Sequence, residues 1–318
     1  MKKHKRLIAM MRTAQQEHRC VIGSDPAIRR ACRRRLVVGE LISPYRNLYA
    51  ETGYWNSLNA EEQSLHVIRS LSILHPRWVF AGLSAACLYG FQHSYSLHDG
   101  TTHIASTSGV KSGDHDRLHR IYMKRIPAWI HSNRFLLTSP ARTLIDCAEY
   151  PFANALAIYD SALRMKLVTI TDVRTLMIQT VCNEKAVSEL LRWANPLSEN
   201  GGESLMRGRI IEQGFAEPLL QVEFENPDNF SMPYRADFCW KLADGRIIVA
   251  EYDGVAKYRD NSNPNRANLQ SKLAYERERE RSLKSQGVAS VVHVFYEDVM
   301  VPQRLESKLV TAEVPKLR

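Results

Sequence analysis

Apolar residues open the chain at helical spacing, with Leu7, Ile8, Met10 and Met11 on one side of a helix expected over 5–19. A second helix starts at Ser24-Asp25-Pro26, where Ser24 or Asp25 caps and Pro26 takes the first turn. Its apolar stripe is Ile28, Cys32 and Leu36, at i, i+4 and i+8. Gly39 to Ala50 reads as a short hairpin. Ala60 to Leu74 is a helix burying Leu65, Val67, Ile68, Leu71 and Leu74, and Pro76 ends it. Trp78 to Gly82 reads as a strand, Ser84 to Gly90 as a short helix, and Thr138 to Asp146 opens another. Asp160 to Met165 falls on a further helix, and residues 106–117 read as a loop.

The polar stretch 195–202 is the best linker. After it come a helix from Gly202 to Gln213, a strand from Leu219 to Phe224, and two β-prone runs, Tyr234–Trp240 and Arg246–Asp253. Asp244-Gly245 between those runs is a hairpin turn signal. A charged helix from Arg266 to Gln286 and a strand from Val288 to Tyr296 close the pattern. The order describes an α/β multidomain chain with regions 1–55, 56–195 and 196–318.

Charge changes the picture at the N-terminus. Residues 1–35 hold eleven Lys and Arg against two acids, an excess equal to the whole chain's net charge of +9. A basic pole on a neutral body points to nucleic acid. Two helices and a hairpin make a winged helix-turn-helix, whose second helix enters a major groove of DNA. Arg29, Arg30, Arg33, Arg34 and Arg35 on that helix are the candidate DNA contacts. No apolar run is long enough to span a membrane, and no signal peptide is evident, so a cytoplasmic protein is expected. The six cysteines show no Cys-x-x-Cys pair and read as small buried thiols. His115 and His119 have metal-pair spacing, but no helix is expected there, and both read as exposed polar residues.

The hairpin carries the chemistry. If its turn centres near Asp244, facing residues have numbers that sum to 488, which pairs Asp237 with Glu251. The two carboxylates are then about 5 Å apart at Cβ. Asp253 shares the face of Glu251 because side chains alternate. Such carboxylates suit a hard cation, Mg²⁺ or Mn²⁺, and metal-dependent phosphodiester hydrolysis. A guanidinium permanently paired with either acid would end that reading. Arg142 and Asp146 are four apart and pair along a helix, and the acids and bases of 266–286 read mainly as a solvated face.

Two resemblances extend this. The opening, with Asn47-Leu48-Tyr49 at its hairpin, resembles the winged-helix domain of AbiEi-type antitoxins of type IV toxin–antitoxin systems. The family's wing has Gly where this chain has Asn47, a residue that tolerates the left-handed conformation. Ser84-Ala85-Ala86 and Thr138-Ser139-Pro140-Ala141-Arg142-Thr143-Leu144-Ile145-Asp146 resemble motifs of the AbiEi-like middle region. That likeness implies DNA and a cognate toxin as partners.

Residues 200–300 resemble an uncharacterised family related to very-short-patch-repair endonucleases, with a PD-(D/E)xK fold. The match rests on Gly202-Glu203-Ser204, Asp237-Phe238, Glu251-Tyr252-Asp253-Gly254, Glu276 with Arg279-Glu280, Gly287, and Val291 to Val294. It implies a restriction-endonuclease-like domain with a mixed sheet. Asp237 and Glu251 are then the metal ligands, with Glu203, Asp253 and Lys257 completing the catalytic set. The wider superfamily has Lys where this chain has Asp253, so Lys257, Arg235 or Lys272 must supply the positive charge. The subfamily's last strand often carries Arg where this chain has His293. The implied activity is a Mg²⁺-dependent DNA endonuclease. The alternative is an AbiEi-like DNA-binding antitoxin or repressor with an inactive nuclease-like domain.

Overall fold

The computed structural model describes residues 4–109, 111, 114–126, 129–132, 135–253 and 266–317, and only the backbone for 129–132 and 266–274. The chain forms two compact units, Met1–Glu149 with Lys166–Glu189, and Tyr150–Met165 with Leu190–Arg318. Both are mixed α/β.

The first unit opens with α1 (Lys5–Gln16), β1 (Val21–Ile22), α2 (Pro26–Val37), β2 (Leu41–Tyr45) and β3 (Leu48–Glu51). Asp25 caps α2 by accepting from Ile28 N at 2.9 Å. Ile28, Ala31 and Cys32 are fully buried, so the stripe read from the sequence is the inner face. The hairpin forms as expected, and Asn47 takes the left-handed conformation at φ 61°. A strand the sequence did not reveal, β1, adds to it in the order β1-β3-β2.

The unit continues with α3 (Thr52–Ser57), α4 (Ala60–Leu74), β4 (Val79–Phe80), α5 (Gly82–Tyr89), β5 (Thr102–Ser106), β6 (Leu118–Tyr122), β7 (Trp129–Ser132), β8 (Phe135–Thr138) and α6 (Pro140–Cys147). Five strands form one sheet in the order β6-β5-β4-β8-β7. The first 55 residues are not a separate body. Cys20, Tyr45, Leu48 and Ala50 share an apolar core with Val67, Ile68, Leu71 and Phe80.

Helix α4 departs from its expected face, since Leu74 is exposed while His66 and Ser70 are buried. Both buried groups are satisfied: Tyr54 Oη meets His66 Nε2 at 2.8 Å, and Ser70 Oγ accepts from Cys20 N at 2.9 Å. Arg142 pairs with Asp146 at 2.7 Å, but inside the unit, with burial pushing the Asp146 carboxyl up to about 6. His115 is not exposed; it stacks on Tyr45 with ring centroids 4.1 Å apart.

Next come α7 (Phe152–Arg164), α8 (Ile170–Ile178) and α9 (Glu184–Trp193). The sequence reading grouped α7 with the middle region, but it belongs to the second unit. There it packs on α10 (Gly201–Glu212). Two features hold the pair. A Cβ on Gly208 would lie 2.5 Å from Ala153 Cα, so the backbones meet closely only because position 208 is glycine. Arg207, fully buried, donates to both oxygens of Asp160 at 2.7 and 2.9 Å and to Trp193 O at 2.7 Å.

The unit is completed by β9 (Leu219–Phe224), β10 (Tyr234–Lys241), β11 (Ile247–Asp253), α11 (Arg266–Ser285), β12 (Val288–Phe295), α12 (Tyr296–Met300) and α13 (Pro302–Thr311). The sheet runs β12-β11-β10-β9, with β11 and β12 parallel and the other pairs antiparallel. The hairpin register is the expected one: Phe238↔Ala250, Cys239↔Val249, Trp240↔Ile248 and Lys241↔Ile247. Gly245, at φ 89°, closes the turn by donating to Leu242 O. No helix among the described residues is long and apolar enough to cross a membrane.

Candidate functional site

Strand β10 brings Asp237 into the second unit's sheet one step beyond the Phe238↔Ala250 pair, where the paired register ends, near enough for its charge to act on Glu251. Asp237 Oδ2 accepts from Tyr252 N at 2.8 Å. The start of α10 supplies Glu203. Asn200 caps that helix, accepting from Gly202 N and Glu203 N. Glu203, only 4% exposed, accepts from Glu199 N at 2.7 Å, Asn200 Nδ2 at 2.6 Å and Gln221 Nε2 at 3.0 Å. Gly202 must lack a side chain, because a Cβ would sit 2.3 Å from the Tyr252 ring.

Gln221 links the two acids, since its Nε2 also reaches Asp237 Oδ1 at 3.4 Å. It is held at φ 51° within β9, a strained conformation for glutamine. Its Oε1 is buried with no hydrogen-bond partner. Sequence reasoning missed Gln221, because a lone glutamine in a strand carries no signal.

The electrostatics follow from this crowding. Burial first, then the charge of Asp237, pushes Glu203 up to about 7. Burial also drives Glu251 up to about 7; Arg279 pulls it down and Asp237 pushes it up. Asp253 is buried and takes His293 Nδ1 at 2.9 Å, a bond that raises the His293 pKa.

The sequence assigned the charged helix mainly to solvent, and Arg279 departs from that. Its Nη2 donates to Glu251 Oε1 at 2.5 Å and to Arg235 O at 2.9 Å. Both side chains of the ion pair are nearly buried, at 12% and 10% exposure. This is the guanidinium pairing that, if permanent, ends metal ligation by Glu251. Arg235, the alternative cation, pairs with Glu199 at the surface. Lys257 lies outside the described residues, as does the side chain of Lys272.

The donors are carboxylate oxygens, the ligands a hard cation takes. Four acids (Glu203, Asp237, Glu251 and Asp253) gather here, with the Arg279 guanidinium on Glu251 and the His293 imidazole on Asp253. Such a group of carboxylates fits a divalent cation in donor type. The oxygens have not converged on a common point. Among the described residues, the one set of three ligand atoms within 4.8 Å of one another is Cys87, His93 and His98, in the first unit.

The basic helix α2 divides its arginines. Arg30, Arg33 and Arg34 are exposed. Arg29 is half-buried and donates to Gly23 O at 3.0 Å. Arg35 differs from these: it is 8% exposed, donates to Ala31 O and pairs with Glu40 at 3.5 Å. Its stem follows Ala31 and Cys32 inward, a face the i, i+4 reading ended at Leu36. Comparison with family models, curated proteins and solved structures returns no match for this chain.

Proposed function

We propose that the protein is a cytoplasmic, metal-dependent DNA endonuclease, with a winged-helix reader in its first unit and a restriction-endonuclease-like second unit. The observation that carries this is the crowding of Glu203, Asp237, Glu251 and Asp253, with Glu203 and Glu251 both pushed up to about 7 by burial and by the charge of Asp237. Repelling carboxylates gathered from a helix start and two strands destabilise a fold unless a cation compensates. Asp237 and Glu251 would hold Mg²⁺ or Mn²⁺, with Glu203 positioned behind them by Gln221. When bound, such an ion polarises the scissile phosphate and lowers the pKa of a water.

The chain's own groups do the rest. Arg279 supplies the positive charge expected from Lys257 and, once released from Glu251, offers a planar fork to phosphate oxygens. His293 binds Asp253 through Nδ1 and holds a proton at Nε2 for a leaving oxygen. Arg30, Arg33 and Arg34 contact phosphates and set the register on DNA.

A second reading has its own observation, the nearly buried Arg279–Glu251 pair. A guanidinium that never releases Glu251 leaves a DNA-binding antitoxin or repressor of AbiEi type, with an inert nuclease-like unit and a cognate toxin as partner. Nicking of supercoiled DNA by pure protein with Mg²⁺, beside the Asp237→Ala, Glu251→Ala double variant, decides between them. Equal products from both proteins end the enzyme reading, and sequence-specific binding without cleavage supports the regulator.

A further inference from the structure

Cys87 lies near the end of α5, and His93 and His98 follow it in the next eleven residues of chain. The three side chains converge. His93 Nε2 lies 2.7 Å from His98 Nε2 and 3.7 Å from Cys87 Sγ. Cys87 is 5% exposed, and the two histidines are half-buried, so the cluster sits below the surface with its imidazole side open.

The outer hydrogen bonds set the tautomers. His93 Nδ1 lies 2.6 Å from Phe91 O, an acceptor only, so Nδ1 carries the proton and Nε2 presents a lone pair inward. His98 Nδ1 lies 2.8 Å from Ser64 Oγ, a partner that can either donate or accept. This is the outer shell that orients metal-bound histidines, with the far ring nitrogen donating to a carbonyl or hydroxyl. Tetrahedral zinc, from its usual bond lengths, sets ligand nitrogens about 3.3 Å apart and nitrogen and sulfur about 3.6 Å apart. The 3.7 Å between Cys87 Sγ and His93 Nε2 lies close to the second value. The 2.7 Å between the two imidazoles is a hydrogen-bond distance, shorter than the first, so the rings must part slightly to admit an ion.

We propose that Cys87, His93 and His98 form a binding site for a zinc-class divalent ion, distinct from the carboxylate cluster of the second unit. One thiolate and two imidazoles select Zn²⁺ over the hard cations that carboxylates take. Three protein ligands leave a fourth position to water, or to Glu61, a carboxyl whose pKa burial raises and the nearby His93 draws partly back. Binding breaks the hydrogen bond between the two imidazoles. The His98 proton moves from Nε2 to Nδ1, where Ser64 Oγ turns from donor to acceptor. The Cys87 thiol proton leaves to solvent as the sulfur–metal bond forms, so one proton is released per ion.

The test is titration of the full, demetallised chain with Co²⁺, followed by Zn²⁺. The expected result is one tight Co²⁺ per chain, with thiolate-to-cobalt charge-transfer absorption, tetrahedral ligand-field bands, about one proton released, and full displacement by Zn²⁺. His93→Gln and His98→Gln lose the absorption. Ser64→Ala, which keeps every ligand, weakens binding about 10-fold. Asp237→Asn with Glu251→Gln leaves it intact, which separates this site from the other. Absence of the charge-transfer band in the folded wild-type chain overturns the proposal. So does a band unchanged in both histidine variants.

Discussion

Arg279 reaches from helix α11 to strand β11 and donates to Glu251 across 2.5 Å. Removing it leaves a nearly buried carboxylate beside Asp237 with no guanidinium. Arg279→Ala is therefore expected to cost about 3 kcal/mol, the low end for breaking a buried pair. If a divalent cation takes the place of the guanidinium, Mn²⁺ raises the melting temperature of this variant more than that of wild type. Identical Mn²⁺ responses would mean that the acids hold no ion.

The raised carboxyls make stability depend on pH. Glu203 and Glu251 stand at about 7 in the folded chain, above the ordinary glutamate value of 4.5. The folded state thus binds more protons than the unfolded state. Stability is complete below about pH 4.5 and is lost as pH rises through about 7. After discounting for solvent screening, each group contributes on the order of 2 kcal/mol. Denaturant midpoints at pH 5 and pH 7.5 should converge in Glu203→Gln and Glu251→Gln, and a wild-type midpoint that rises across this range would contradict the assignment.

The arginines of α2 should separate by burial. Replacing Arg30, Arg33 and Arg34 with Gln weakens duplex binding and reduces the slope of log K against log salt by about 0.9 for each lost phosphate contact. Arg35→Gln lowers stability and leaves the slope alone, because its side chain is committed to Ala31 O and Glu40. Fluorescence anisotropy across a salt series reads both. An unchanged slope in the triple variant would place DNA binding elsewhere.

Asp160 and Arg207 are both without solvent exposure in their side chains. Asp160→Asn or Arg207→Met alone should cost about 3–5 kcal/mol, since each strands a buried charge. The double variant Asp160→Leu, Arg207→Met should recover much of that loss in urea unfolding. Additive losses would show that the two residues act independently.

The hairpin was legible because Asp244-Gly245 stands between β-prone runs, and one turn position sets the facing pairs from Phe238 with Ala250 to Lys241 with Ile247. The capped start of α2 and the left-handed Asn47 were legible for similar local reasons. Arg279 was not, because a helix rich in Glu and Arg offers inward and outward partners to each arginine alike. Cys87, His93 and His98 escaped because their spacing crosses a helix end, where no single periodicity aligns side chains. A Cys-x5-His-x4-His search is the signal that finds them. The partnership of α7 with α10 rests on Gly208 against Ala153 and on an ion pair 47 residues apart, which no local pattern encodes.

The chain enters the second unit at Tyr150, leaves it after Met165 and returns at Leu190. Inheritance of this protein is constrained accordingly. A genetic crossover anywhere between 165 and 207 takes Asp160 from one parent and Arg207 from the other. Recombinants that exchange C-terminal halves are expected to lose stability wherever the parents differ at either position, so the segment from 150 to 165 and the chain after 190 are expected to descend together.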